Sequence, residues 1–492
     1  MEKLADLLNA TGLDGSIVDS NLCLTSLCYD SRQCKPDCAF FAFDGIHTDG
    51  QNYIPQAIEN GAICIISKTE PKDKQQGIYY FQTPNPRSLF ANMCAAFYDY
   101  PAKKLILIGI TGTDGKSTTC DYLHQILTKH GIKTGLLGTV SMDDGKKKQI
   151  SPYRQSTPEA DSLQQFLSRC ADNGLTHVIL ECTSHALSKE YDRLATLTYD
   201  VAIVTTVTSE HMEFHKTHSA YVDAKCNLVR NLKKNGKFIS TTDNPSLQAF
   251  LSCLTKDKEA CILHRDIQCT IEKKEAGQVL CTVGNKTVAL SCVLPCLASN
   301  AMLAALGASY LLHTPFTTLF PSLEELQPVT GRMNTIENPF GLQIFIDFAH
   351  TADAYEKLFS SFATEHERGK LIAVFGCAGE RDTSKRAPMG YIAATYADIL
   401  ILTEEDPRKE GNEAIFSDLL SLVTEVGDKN LIIEKIPDRK KAIERAFSLS
   451  HNGDTLLFLG KGHETSIERA EGKIPWNEEE QVRIALHTYQ KA

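Results

Sequence analysis

No Cys-x-x-Cys pair occurs anywhere in this 492-residue chain, although it carries 17 cysteines. The closest spacings, Cys34/Cys38 and Cys292/Cys296, match neither a structural-zinc pattern nor a thioredoxin-type dithiol. Many thiols lie inside apolar segments, as Cys64 and Cys377 do. They read as small buried hydrophobes in a reducing compartment. Met1 to Leu13 lacks a basic segment followed by an apolar core, so no secretory signal is expected there. No apolar run reaches the roughly 20 residues of a membrane span. The most apolar stretch, 297–312, contains Ser299, Asn300 and Ser309 and reads as a core helix. Positive charge is not in excess either. A formal net charge of −10 disfavours non-specific binding to nucleic acid or anionic lipid. The expectation is a cytoplasmic, monomeric protein acting on small molecules, without nucleic-acid partners or membrane insertion.

What is present is ordinary globular composition, 42% hydrophobic and 23% charged, in a chain long enough for about three domains. There is no internal repeat and no low-complexity segment. The first hundred residues mix short elements: strands over 40–43 and 63–67, a helix over 53–60, and a linker at Tyr100-Pro101-Ala102-Lys103-Lys104. A β-then-α rhythm follows, with buried strands at 105–110, 177–182 and 201–207 and an alternating, antiparallel insert over 262–293. The pattern restarts near Pro328, with strands at 344–347, 371–375, 399–403, 431–436 and 455–459. The predicted class is α/β in three domains: a small α/β unit (1–103), a central parallel-sheet domain (104–328) and a C-terminal Rossmann-like domain (329–492).

The sharpest local signal is Gly112-Thr113-Asp114-Gly115-Lys116-Ser117, between a buried strand and a helix. Backbone N–H groups of such a loop, with the helix N-terminus, cradle phosphates. Lys116 would neutralise phosphate oxygens and Ser117 would hold Mg²⁺. The longer Gly-x4-Gly-Lys-Ser form fails, because Ile110 stands where its first glycine belongs. Glu181 lies at the end of a buried strand, where α/β folds build sites. In Glu210-His211-Met212-Glu213-Phe214-His215, the two histidines are four apart, but Met212 breaks the zinc-protease pattern. Thr157 then Pro158 reads as a helix cap and first turn. Arg408, in Glu405-Asp406-Pro407-Arg408, offers a guanidinium fork that can read a carboxylate.

Several of these segments carry a resemblance. Thr111 to Thr119 resembles the phosphate loop of the Mur ligases and folylpolyglutamate synthases, with Asp114 where that loop usually has Asn. Glu181-Cys182-Thr183-Ser184-His185 resembles the Glu-x-Ser-Ser-His element of the muramoyl-peptide ligases. Tyr29-Asp30-Ser31-Arg32 and Gly45 to Gly50 resemble a uridine-binding N-terminal domain. Gly331-Arg332-Met333, Asp347-Phe348-Ala349-His350, Arg386 and Gly460-Lys461-Gly462-His463-Glu464 continue the likeness in order along nearly the whole chain.

The resemblance implies an ATP-dependent amide-bond-forming ligase of cell-wall precursor synthesis. It assigns Gly112, Thr113, Asp114, Gly115, Lys116, Ser117, Thr118, Asn300, Arg332, Asp347 and His350 to ATP. It assigns Tyr29, Ser31, Ile46, His47, Thr48, Gln155, Ser156, Thr157, Thr183 and Arg193 to a UDP-linked substrate. Ser117, Glu181, His211 and Lys225 would hold Mg²⁺, Lys225 as a carbamate formed with CO₂, whose oxygens are hard ligands. Lys116, His211, Lys225 and Arg332 are the implied catalytic set. His215 is implied to be structural or to line the substrate pocket. Arg386, Glu405, Asp406, Pro407, Arg408, Gly460 and Glu464 would form the pocket for a diamino acid. Arg408 favours meso-diaminopimelate, whose distal carboxylate it can read. Glu405 and Asp406 leave ornithine or lysine open. Asp114, Leu297 and Thr206 depart from the family's usual residues. Two other readings stand beside this one: a catalytically silent nucleotide-binding relative, and another Mur-step or folylpolyglutamate-type ligase.

Overall fold

The protein is described from a computed structural model covering residues 2–489, except 46–47, 72, 154, 209, 211, 275–276, 364–368 and 428–429. Ile46, His47 and His211 therefore lie outside the described residues. The chain builds three α/β units, each around its own parallel sheet. The first sheet runs Ser26–Cys28, Cys38–Ala42, Ala62–Ser67, Tyr79–Gln82, parallel throughout. Pro101–Lys104 closes this unit as a 3₁₀ turn, entered through a left-handed Tyr100.

The central sheet has eight strands. Its spatial order is Gln149–Ile150, Ser141–Asp143, Thr134–Leu137, His177–Glu181, Ile106–Thr111, Tyr199–Val204, Leu232–Thr241, Glu259–Leu263. Only the first two are antiparallel to their neighbours. Alternation along Ile106–Thr111 sends Leu107 into one core and Ile108 and Ile110 into the other, which is why the run reads as continuously apolar. The antiparallel insert is a separate sheet of three strands, Thr270–Lys274, Gln278–Val283 and Lys286–Leu290. Glu259–Leu263 belongs instead to the parallel sheet.

Pro295–Leu312 begins two residues earlier than its sequence suggests and reaches 18 residues, long and apolar enough by composition to cross a membrane. Half of it is buried inside the fold, in the same core as Leu123, Ile126 and Leu127 of the helix Lys116–Lys129. The third sheet runs Asn334–Thr335, Gln343–Asp347, Thr455–Leu459, Leu371–Phe375, Ile399–Leu402, Ile432–Lys435, parallel except at its first strand. Apolar clusters cover both of its faces.

Candidate functional site

Strand ends of the central sheet converge on the phosphate loop. Strand Ile106–Thr111 delivers the loop, and helix Lys116–Lys129 leaves it. Two glycines are required by close approach. A Cβ on Gly112 would stand 1.8 Å from Thr205 Oγ1, and one on Gly115 would stand 2.5 Å from Asn300 Oδ1. Gly115 also has φ +84°, a left-handed backbone suited to glycine. Lys116 folds back over the loop and donates to the Thr113 carbonyl at 2.7 Å. Asn300 thus sits on the loop itself. A cavity of about 620 Å³ opens beside it, within the range of a cofactor-sized ligand. Asp114, Thr118, Asn300, Arg332 and Asp347 line it.

Glu181 is the buried acid at the end of its strand. It accepts from Ser117 Oγ at 3.1 Å and from Thr139 N and Oγ1, both at 2.9 Å. Sequence reading missed Thr139, although it lies just beyond another strand's C-terminal end, the same signal that marks Glu181. This oxygen-rich set of hydroxyls and a carboxylate suits a hard cation such as Mg²⁺.

Lys225 is 1% exposed on the helix His218–Arg230. Its amine donates to Gly112 O at 2.6 Å and lies 4.6 Å from the centroid of the Tyr221 ring. Burial, with the Lys116 cation nearby, holds that amine well below the usual lysine range. A lysine kept neutral is the form that can add to CO₂.

The third unit reaches into the same place. Arg332 donates from Nη2 to Ser117 Oγ at 3.3 Å, and its guanidinium lies over the Phe348 ring. Both Asp347 oxygens accept backbone amides, from Met333 and Ala349 at 2.7 and 2.6 Å, and so fix the Arg332 turn. His350 pairs with Glu210 at 3.2 Å, a second bridge between the central and third units. Thr351 donates to Asp114 at 3.4 Å. Asp114 is half-buried, and desolvation followed by the Glu210 charge pushes its carboxyl above the ordinary range. Leu297 lines the cavity, and Thr206 accepts the Thr113 amide at 2.7 Å through its carbonyl.

Thr157 does not cap a helix. The next helix starts at Ala160, with Glu159 in the position before it and no side-chain capping bond. Thr157 instead donates to the Glu181 carbonyl at 2.7 Å, accepts from Thr183 N and Oγ1, and offers its own carbonyl to Arg193. Arg193 also pairs with Glu159 at 2.6 Å. The Ser156 hydroxyl lies 2.6 Å from that of Thr139, and Gln155 is exposed beside it. His215 meets Ser184 at 3.0 Å. In the first unit Tyr29 stacks on Phe43, Ser31 is buried and donates to Gln56, and Thr48 is exposed. Arg87 spans the gap between units, 4.4 Å from the Phe43 ring and 5.0 Å from the Tyr191 ring.

At the far side, Asp406 and Glu464 hold the buried amine of Lys461 at 2.8 and 2.5 Å. Glu405 packs on Gly460, and burial pushes its carboxyl upward. Arg408, with φ +53°, donates to the Gly379 carbonyl, next to Pro407, and to Glu468. Arg386 takes a different place from the one expected. It is fully buried beneath this region, held by Glu410, Asp418 and the Ala378 carbonyl, so it braces the loop and presents no guanidinium to a ligand. Arg386→Ala should lower unfolding stability by about 2 kcal/mol, read by denaturant titration; its two acids are partly exposed and can rehydrate, which keeps the loss below that of a fully buried pair. Arg381, on the same loop, is exposed.

Known proteins share this arrangement. Residues 24–97 match the profile described as "Mur ligase family, catalytic domain", 110–308 "Mur ligase middle domain" and 331–462 "Mur ligase, glutamate ligase domain". The chain is 35% identical over 479 residues to a UDP-N-acetylmuramyl-tripeptide synthetase of Borreliella afzelii, covering 95% of this chain and 94% of that one. It is 32% identical to a UDP-N-acetylmuramoyl-L-alanyl-D-glutamate--2,6-diaminopimelate ligase of Caldanaerobacter subterraneus, covering 99% of this chain and all of that one. A solved structure of a ligase of the latter name superposes with a TM-score of 0.64 at 23% identity, over 98% of each chain. With all three units matched in order, and with relatives above 30% identity along almost their full length, the chain belongs to the Mur ligase family.

Proposed function

We propose that this ligase adds a diamino acid to UDP-N-acetylmuramoyl-L-Ala-D-Glu, with ATP spent through an acyl phosphate. The observation that carries the reading is Arg332 of the third unit at 3.3 Å from Ser117 of the phosphate loop, beside Glu181 and the buried Lys225. The γ-phosphoryl group passes to the substrate's terminal carboxylate. The amine of the incoming amino acid then attacks the acyl carbon, and phosphate leaves. Lys116 and Arg332 offset charge on the transferring group. Ser117 and Glu181, with Lys225 as a carbamate and His211, would hold Mg²⁺, which supplies further charge stabilisation when bound. The carbamate forms when the neutral Lys225 nitrogen adds to the carbon of CO₂ and releases one proton. Tyr29, Ser31, Thr48, Thr157, Thr183 and Arg193 serve the UDP-linked substrate, and closure about Arg332 keeps water out.

The added residue is meso-diaminopimelate. Glu468 and Gly379 engage two of the five N–H donors of Arg408, and Asp406 stands 3.9 Å from its Nη2, so the remaining donors would turn from that acid to a distal carboxylate. Asp406 and Glu468 suit the ammonium on the same distal carbon. The carboxylate surplus around Arg408 favours the second reading, ornithine or lysine, which bring an ammonium alone. Arg381 is the exposed guanidinium on this loop, and Arg381→Ala should raise KM for the amino acid.

Phosphate release with ATP, Mg²⁺ and UDP-N-acetylmuramoyl-L-Ala-D-Glu tests the function against meso-diaminopimelate, lysine, ornithine and no amino acid. Release stimulated by one of them, with a product heavier by that residue, is the expected result. No stimulation, with Lys116→Ala indistinguishable from the wild type, would overturn it in favour of a silent relative. Arg408→Ala should cost the diaminopimelate reaction roughly 10²-fold in kcat/KM, the scale of a lost charged hydrogen-bond pair, and spare an ornithine or lysine reaction.

Asp114 makes a further prediction. Below its raised pKa the acid is neutral and serves the loop as an amide would. As pH rises through that pKa, an anion appears beside the phosphates. KM for ATP should therefore climb roughly tenfold as pH rises through that pKa in the wild type, and Asp114→Asn should flatten that rise, measured as KM for ATP against pH.

A further inference from the structure

The cysteine spacing excluded a metal motif, yet the fold assembles one outside the catalytic region. Strands Ser26–Cys28 and Cys38–Ala42 pair in parallel, with Ser26 opposite Cys38. Cys28 stands two residues along from Ser26, on the same face of the sheet. The connection between the strands makes a 3₁₀ turn, Ser31–Gln33, and Cys34 is the residue that ends it. All three thiols are buried, and their sulfurs lie within 4.8 Å of one another. Among the described residues this is the one group of three or more cysteine, histidine or acidic side chains so arranged. The spacing of five and three intervening residues hides the site from a motif search, because sheet register, not sequence proximity, brings Cys28 to Cys38.

We propose that Cys28, Cys34 and Cys38 form a binding site for one thiophilic d¹⁰ cation, zinc or copper(I). Three sulfurs at about 2.3 Å from a zinc ion stand about 3.8 Å apart in tetrahedral geometry, so each pair closes by at most about 1 Å on binding. Soft thiolates select these cations over Mg²⁺, which keeps the site chemically separate from the oxygen donors around Ser117 and Glu181. Ser26 Oγ lies 3.6 Å from Cys28 Sγ and provides an adjacent oxygen. Each thiol that binds gives up its proton, and nothing is oxidised or reduced. A bound ion would cross-link both strands to the turn that carries Ser31, so the first unit would gain stability with metal and lose it to a chelator.

The test uses the full-length, reduced protein. It is loaded with zinc, or with copper(I) under argon, then desalted and assayed for metal per chain; X-ray absorption on the wild type counts sulfur neighbours. One ion per chain with three sulfurs at about 2.3 Å for zinc is expected, together with a higher melting temperature. Cys28→Ser with Cys34→Ser should abolish retention, while Cys253→Ala should leave it unchanged. No retained ion, a shell of nitrogen and oxygen, or equal retention in the double variant would each overturn the proposal. So would a disulfide among the three cysteines in the isolated protein whose reduction yields a chain that still takes up no metal. The absorption readout needs no variant and no ligase turnover, so it stands whatever the fate of the substrate assignment.

Discussion

Lys225→Ala should lower kcat by roughly 10³-fold, the scale of removing a charge-stabilising group from a closed site, while the protein stays folded. The side chain is buried and its amine makes its short bond to a backbone carbonyl, Gly112 O, so its packing alone gives it a place but no chemistry. A bare ammonium there would oppose a cation held by Ser117 and Glu181. Burial already disfavours the ammonium, and the nearby Lys116 disfavours it further. As a carbamate the same side chain reverses its sign and supplies two hard oxygens. Two measurements separate this from a structural role. Acetate or formate, small enough to enter the space left by the truncated side chain, should restore part of the activity of Lys225→Ala. Lys225→Arg should stay inactive in the same buffers, because a guanidinium keeps its charge. Labelled bicarbonate should give a carbamate carbon signal in the wild type that both variants lack. Full activity in Lys225→Ala, or loss that no carboxylate repairs and no label accompanies, would leave Lys225 as a packing residue.

What was legible in the sequence is what local chain order controls. A buried run, a glycine turn and a helix face fix the phosphate loop within one continuous stretch of chain, and strand ends announce Glu181 without reference to anything distant. Long-range pairing was not legible. Thr157 reads as a cap because threonine before proline is a good one, but tertiary contacts with Glu181 and Arg193 claimed it. Arg386 reads as a ligand-binding guanidinium until Glu410 and Asp418, 24 and 32 residues on, are seen to enclose it. Arg439 passed unnoticed as one basic residue in a charged helix. It is fully buried in a bidentate pair with Glu478 and donates to the carbonyls of Glu404 and Leu459, the segments that carry the proposed amino-acid pocket. The cysteine trio fails to register for the same reason: a parallel sheet brings together residues with no periodic relation in the chain.

Arg332→Ala should cut kcat by roughly 10³-fold, at the lower end of what an arginine contributes to phosphoryl transfer, with a smaller change in KM for ATP. The expectation rests on where the residue comes from. Every other group proposed for the phosphates belongs to the central unit, and Arg332 alone crosses from the third, through a turn fixed by the Asp347 carboxylate on the Met333 and Ala349 amides. Its Nη2 bond to Ser117 is made across that junction, while its Nε is buried with no hydrogen-bond partner. A buried donor left unsatisfied is costly, and a transferring phosphoryl group would satisfy it. The residue is therefore expected to bind the transition state better than the ground state, which places its loss in kcat. Arg332→Lys should recover little, since an ammonium cannot serve Ser117 and a phosphoryl oxygen with a rigid fork. ATP binding followed by calorimetry keeps the two explanations apart. A variant that binds ATP nearly as well as the wild type but turns over slowly assigns Arg332 to charge stabilisation. A variant that loses ATP binding and kcat in proportion reduces it to a latch between the two units. In that case His350→Ala, which breaks another bridge between the units, to Glu210, should mimic it.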